Sequence, residues 1–182
     1  MMAQKALVGT VIVDLSRCLA CRSCETACAV AHAGFDDIVE AVLAGAEMVP
    51  RVHVIAAEGM AVPIQCQHCE DAPCVVVCPS GALYRDEEGG PVRTAPSKCI
   101  GCKSCIVVCP FGSLQWNGAS GTVLKCDLCA DIVEAGEEPR CVAACPTRAR
   151  RVVAVQDLSA QRRLDAARRT VRVVRSEEGS SE

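Results

Sequence analysis

Residues 99–110 read Cys99-Ile-Gly-Cys102-Lys-Ser-Cys105-Ile-Val-Val-Cys109-Pro110, a C-x2-C-x2-C-x3-C-P run. Three thiols so spaced on a tight loop face one iron–sulfur cube. The fourth lies a helical turn beyond the third, so its sulfur points away, toward a neighbouring 4Fe–4S cluster. Pro110 ends that turn, because its ring fixes φ and leaves no N–H to donate. One such run therefore predicts two clusters.

The chain carries the device four times, using all sixteen cysteines. Cys18, Cys21, Cys24 and Cys28 keep the spacing, with Ala29 where Pro would stand, so the helix is expected to run on through His32. Cys66, Cys69, Cys74 and Cys78-Pro79 widen the middle gap to four residues. Cys126 and Cys129 are separated from Cys141 and Cys145-Pro146 by eleven. The two-cluster rule assigns Cys66, Cys69, Cys74 and Cys109 to one cluster and Cys99, Cys102, Cys105 and Cys78 to its neighbour. By elimination, Cys18, Cys21 and Cys24 share a cluster with Cys145, and Cys126, Cys129 and Cys141 share one with Cys28. Four 4Fe–4S clusters in a row, in one pseudo-symmetric body, are expected.

Rival readings of the cysteines are weaker. A disulfide scaffold belongs to secreted chains, and residues 1–10 carry neither an apolar signal region nor a cleavage site. No run approaches the length of a membrane span. The chain thus reads as cytoplasmic, where paired thiols mean metal. Structural zinc takes cysteines two and two, a pattern that only the fourth quartet resembles. A radical enzyme needs C-x3-C-x2-C, and Ala31, Gly81, Gly112 and Arg148 stand where its last cysteine belongs. No Ser–His–Asp set, phosphate loop or GxGxxG is present, so hydrolase, nucleotide and nicotinamide chemistry are not indicated.

Aromatic residues are limited to Phe35, Tyr84, Phe111 and Trp116. A core so poor in large side chains needs inorganic filling. The formal charge of −3 becomes about −11 once sixteen thiolates hold four oxidised cores.

Residues 64–118, with strands on either side of Gly89-Gly90, form one two-cluster module. Residues 7–63 plus 119–157 form the other around quartets one and four, within a body spanning 1–175. Asp36–Met48 reads as a helix with Ile38, Val42 and Leu43 on one side, stopped by Pro50. Arg51–Ile55 and Met60–Ile64 read as a hairpin about Glu58-Gly59. This insert is either cover or a docking surface. Thr122–Leu124 closes another hairpin, and the insert Ala130–Arg140 is a short helix ending at Gly136. Val152–Val155 reads as a strand, residues 158–175 as an arginine-rich helical extension with a last strand over Thr170–Val174, and residues 176–182 as disordered.

Cys66-Gln-His-Cys69-Glu-Asp-Ala-Pro-Cys74 and Lys125-Cys126-Asp-Leu-Cys129 resemble the four-cluster iron–sulfur subunits of the dimethyl-sulfoxide-reductase and formate-dehydrogenase type. The run Cys21-Arg-Ser-Cys24-Glu-Thr-Ala-Cys28-Ala-Val-Ala-His32 most resembles the ferredoxin-like subunits of carbon monoxide dehydrogenase systems, and it is also similar to those of hydrogenase, formate and tungsten aldehyde oxidoreductase complexes. The resemblance covers about residues 8–155. It implies an α+β fold of tandem bacterial-ferredoxin-like βαββαβ modules with short hairpin and helix inserts. It also implies a non-catalytic electron-transfer subunit between a catalytic oxidoreductase subunit and a further redox partner. The catalytic partner would be a nickel–iron carbon monoxide dehydrogenase or a tungsten/molybdenum pterin enzyme. The alternatives are an iron–sulfur sensor, a structural scaffold, or a free polyferredoxin serving several enzymes.

Two residues are singled out beside the ligands. His68 either packs or points an N–H at a cluster sulfur, and Lys125 is either solvated or a charge that raises a cluster potential. His32 and His53 read as surface or packing residues. Residues 148–175 hold nine arginines against Asp157 and Asp165. They form a solvated face or a docking arm for an acidic partner. Nucleic acid is disfavoured, because no aromatic residue interleaves them for stacking.

Overall fold

The computed structural model describes residues 9–85 and 90–178. Strand β1 (Gly9–Val13) leads through the first cysteine loop into α1 (Ser23–His32). Helix α2 (Ile38–Leu43) precedes the hairpin of β2 (Val52–Ala57) and β3 (Met60–Gln65). The second quartet builds α3 (Pro73–Val76), followed by β4 (Leu83–Arg85) and β5 (Val92–Thr94). The third builds α4 (Ser104–Val108), followed by β6 (Gln115–Asn117) and β7 (Thr122–Leu124). The fourth carries α5 (Ala130–Glu134) and α6 (Arg140–Ala143), then β8 (Arg150–Ala154) and α7 (Val155–Glu178).

All four sheets are antiparallel pairs: β1–β8, β2–β3, β4–β5 and β6–β7. The first pair joins distant parts of the chain, with Gly9 opposite Ala154 and Val13 opposite Arg150. It brings α1 against α6, so quartets one and four lie together. In the other half α3 packs on α4. Each half has its own apolar core. One gathers Val11, Cys24, Cys28, Val52, Val54, Cys141 and Val142, the other Ala72, Cys74, Leu83, Val92, Cys105, Leu114 and Val123. Neither contains an aromatic ring, and Phe111 and Trp116 are exposed. The fold is α+β and ferredoxin-like in each half.

Local chemistry explains the connections. The two-residue turn of β2–β3 is Glu58-Gly59, both left-handed (φ 50° and 80°), the geometry that matches strand twist. Ala135 and left-handed Gly136 end α5, and Pro139 opens α6.

Two expectations are corrected. Helix α2 covers only six residues, and it ends at Ala44 and left-handed Gly45 rather than at Pro50. Its buried residue is Ala41, while Ile38, Val39, Val42 and Leu43 face outward. The second correction concerns α7, which starts directly after β8 and runs unbroken through the region expected as a strand over 170–174 and into the expected tail. The valines there suit a strand, but none of the described two-stranded sheets takes them up. The alanines and arginines before them favour helix. The expectations for residues 7–8, Gly89 and 179–182 lie outside the described residues. No described helix is long and apolar enough to cross a membrane.

Candidate metal centres

In all four cysteine loops, the residue before the second cysteine is left-handed: Ala20 (φ 57°), His68 (48°), Gly101 (70°) and Leu128 (61°). Arg22 (59°) and Lys103 (62°) follow that cysteine in loops one and three in the same conformation. A non-glycine residue there costs about 1–2 kcal/mol. Such turns aim successive N–H groups into one concavity, which suits an anion. The Leu128 N–H, for example, donates to Cys126 Sγ at 3.4 Å. After each Cys-Pro the chain makes the same left-handed step, at Gly81, Gly112 and Arg148.

All sixteen cysteines are free thiols. Cys78, Cys99, Cys102 and Cys105 line one small hollow. Cys18, Cys21, Cys24 and Cys145 line a second. Each hollow has one exposed cysteine at its rim, Cys102 and Cys21 respectively. The other eight lie deeper, six of them buried. Cys66 is within electrostatic reach of Cys69 and Cys109, and Cys74 of Cys66 and Cys109. Cys129 is within reach of Cys141 and Cys28, and Cys126 of Cys141.

Burial pushes the thiols of Cys24, Cys66, Cys74, Cys105, Cys126 and Cys141 up, and that of Cys129 to about 12. Thiols so placed stay neutral unless a cationic centre holds them as thiolates. The fourth cysteine of each quartet has a local polar contact instead. Ser80 and Thr147 hydroxyls lie 3.7 Å from Cys78 and Cys145, and Ser113 lies 3.4 Å from Cys109. Against burial, these contacts and nearby backbone N–H groups hold the three thiols low. Cys28 Sγ receives the Arg51 N–H at 3.3 Å, and His32 Nδ1 lies 3.5 Å away.

Both residues singled out beside the ligands are enclosed. His68 Nδ1 accepts the Val92 N–H at 3.0 Å, so its proton sits on Nε2, which is buried without a protein partner. Burial takes its pKa down to about 3, with Lys125 adding to the effect, and keeps the ring neutral. Lys125 is only 2% exposed and is not solvated; its Nζ donates to the carbonyls of Val92 and Cys126. It lies within reach of Cys66, Cys74 and Cys126.

Sequence reasoning missed a second buried cation and a polar clasp. Arg150 is 1% exposed, bonds Gln65 Oε1 through Nη2, and lies 3.5 Å from Cys141 Sγ. His32 is part-buried, with Nε2 3.1 Å from Asp127, and Asp127 also pairs with Arg51. Despite burial, Asp127 holds the His32 pKa up at about 9, and His32 and Arg51 hold Asp127 well below the carboxylate range. Cys129 Sγ lies within 4.8 Å of this pair. The signal for the clasp was its spacing: His32 is one turn after Cys28, and Asp127 sits between two ligands. His53 lies half-buried on β2.

The residues present fit 4Fe–4S clusters. The donors are soft thiols, none spent in disulfides, with N–H concavities beside them and a buried imidazole N–H awaiting an acceptor. Such loops in paired α+β halves define a multi-cluster iron–sulfur protein of ferredoxin type. The 4Fe-4S dicluster domain family matches residues 57–155, and the 4Fe-4S binding domain family matches residues 15–31. The chain belongs to the 4Fe–4S dicluster family and is of the dimethyl-sulfoxide-reductase iron–sulfur subunit type. It is 42% identical over 157 residues to an iron-sulfur protein of Rhodospirillum rubrum, covering 80% of each chain. It is 39% identical over 171 residues to the electron transport protein HydN of Escherichia coli (strain K12), covering 84% of this chain and 94% of HydN. A subunit of the anaerobic dimethyl sulfoxide reductase of the same organism is 40% identical over 144 residues, with 75% of this chain and 69% of that subunit covered. The chain is an iron–sulfur electron-transfer protein carrying four 4Fe–4S clusters, and its relatives are named as electron-transport and electron-transfer proteins rather than as catalytic subunits.

Proposed function

We propose that this chain is the relay subunit of an oxidoreductase complex, with its two rim-exposed ligand sets as the contact points for a catalytic subunit and a further redox partner. One observation carries this reading: two thiol-lined hollows in different halves each have an exposed cysteine, while six of the eight remaining thiols are buried. A 4Fe–4S cluster, when bound, takes up and returns one electron at a time. The chain's own residues hold the clusters, exclude water from the inner ones and set their charge balance.

The ligand sets are those of the two-cluster rule. Cys18, Cys21, Cys24 and Cys145 form one outward set, and Cys78, Cys99, Cys102 and Cys105 the other. Cys126, Cys129, Cys141 and Cys28, and Cys66, Cys69, Cys74 and Cys109, form the inner two. Leu19 and Ile100, 68% and 66% exposed, stand in the outward loops as apolar contact points. His68 gives its Nε2–H to a sulfur of the Cys66 set, and Lys125 neutralises part of the charge where the two inner sets meet. The exposed arginines of α7, Arg162, Arg163, Arg168, Arg169 and Arg172, offer a positive surface to an acidic partner. Within this reading the catalytic subunit is a nickel–iron carbon monoxide dehydrogenase or a tungsten/molybdenum pterin enzyme, in the cytoplasm. That choice rests on the likeness of residues 21–32.

The test is anaerobic purification of the tagged chain from its native host, with mass spectrometry of what accompanies it. A co-purifying metal-dependent catalytic subunit is expected, and its metal names the substrate class. Recovery with DNA or a transcription factor would overturn the relay reading and favour a sensor.

A further inference from the structure

The two outward hollows are lined by corresponding segments, and at one place an apolar side chain is exchanged for a charged one. Counting from the fourth cysteine, Cys78 is followed by Ser80, Ala82 and Leu83, and Cys145 by Thr147, Ala149 and Arg150. All six line their hollows. The third Cys-Pro quartet also puts a leucine at this place, Leu114, five residues after Cys109. Leu83 and Leu114 are 3% and 4% exposed, and both belong to the apolar core of their half. Arg150, at 1%, is as deeply buried, yet it carries a guanidinium, which is charged in any protein setting.

Protein contacts do not use that guanidinium up. Nη2 is held by Gln65 and lies 3.5 Å from Cys141 Sγ, but Nε and Nη1 are buried without a partner. Gln65 is itself 4% exposed, and no carboxylate pairs with Arg150 among the described contacts. An unpaired buried cation is costly unless an anion stands nearby. Arg150 lines the Cys18–Cys145 hollow and touches Cys141 of the adjacent set. The anion that fits is the thiolate-bound cluster itself.

We infer that Arg150 is a built-in counter-charge that raises the reduction potential of the 4Fe–4S site at Cys18, Cys21, Cys24 and Cys145, making the two outward sites of the protein electrically unequal. The inference rests on the ligand sets proposed above. Its physical basis is that reduction adds a negative charge, which a fixed neighbouring cation favours. Glu25 stands where the other half has Ile106 and works in the opposite sense. Its carboxylate is engaged by Arg22 at 3.1 Å and by the Val54 N–H, so it offsets Arg150 only in part.

The test uses the full chain, reconstituted anaerobically, in redox titrations followed by electron paramagnetic resonance. Arg150→Leu copies the residue that the other half carries at this place. At least a tenfold loss in the electron-binding equilibrium of one couple is expected, about 59 mV for one electron. Arg150→Lys keeps the charge and should stay within about threefold of wild type. Gln65→Glu sets a carboxylate against the guanidinium without shortening it, and should move the same couple the same way. Arg150→Leu with four clusters and four unmoved couples overturns the inference. So does loss of the site in Arg150→Leu together with unmoved couples in Gln65→Glu, since Arg150 would then serve packing alone. A wild-type chain that takes up no 4Fe–4S clusters would instead overturn the underlying site reading.

Discussion

His32 Nε2 lies 3.1 Å from Asp127 Oδ1, across 95 residues of sequence. His32 ends the helix of quartet one, and Asp127 sits in the loop of quartet four. Arg51, from the intervening insert, meets the other carboxylate oxygen. Three separate segments are thus pinned beside Cys28 and Cys129. Asp127→Asn should cost about 1–2 kcal/mol, because a part-buried charged pair loses its anion. Anaerobic urea titration of the reconstituted chain, followed by cluster absorbance, measures this. A midpoint equal to wild type would show that the clasp adds nothing.

Ligand sets can be separated by substitution. Cys145→Ser and Cys21→Ser should each disturb the same resonance signal, whereas Cys28→Ser should disturb a different one. Each should lower iron content by at most about one quarter, since one cubic site of four is affected. If Cys145→Ser and Cys28→Ser alter one common signal, the cross-ligation scheme is wrong.

Gly101 cannot be exchanged as freely as its counterpart Ala20, although both are left-handed. A Cβ at Gly101 would meet Trp116 Cη2 at 2.9 Å. Trp116 also carries Lys103 over its ring at 4.4 Å. Gly101→Ala should displace the indole and destabilise this half by about 1–2 kcal/mol. The emission of the sole tryptophan reports the displacement, and an unshifted emission maximum would refute it.

Helix α7 packs chiefly against β8, and its described side chains over residues 162–172 are exposed. Truncation after Ala154 should leave four clusters in place while weakening capture of the catalytic subunit. The wild-type interaction should fade as salt rises, and the truncated one should respond little. Equal capture at every ionic strength would make α7 a solvated appendage.

Much of this was legible in the cysteines alone. Their spacing carried the cofactor type, and Glu58-Gly59, Gly136 and Pro139 marked turns where backbone chemistry allows few choices. What stayed hidden depends on contacts. Ala20, Arg22, His68 and Leu128 adopt left-handed conformations that their side chains disfavour, so composition hid the shared loop. Arg150 read as part of a solvated or docking face, and Lys125 as either solvated or a charge beside a cluster, because nothing local reveals that the chain folds around them. Valines 171, 173 and 174 read as strand because β propensity takes no account of the helix already running through the alanines and arginines before them. Helix α2 looked ready to bury its large side chains and instead buries Ala41.

The pairing of β1 with β8 bears on how the molecule comes into being. A ribosome delivers the residues of quartets two and three together, and their contacts are local. Quartet one emerges first yet waits for Arg150–Ala154 before its sheet closes. During that interval Cys18, Cys21 and Cys24 are without Cys145 and its flanking strand. Long-range closure of this kind is slow. The half assembled last is therefore the one most exposed to oxidants and to the wrong metal during synthesis, and the one whose maturation most needs protection.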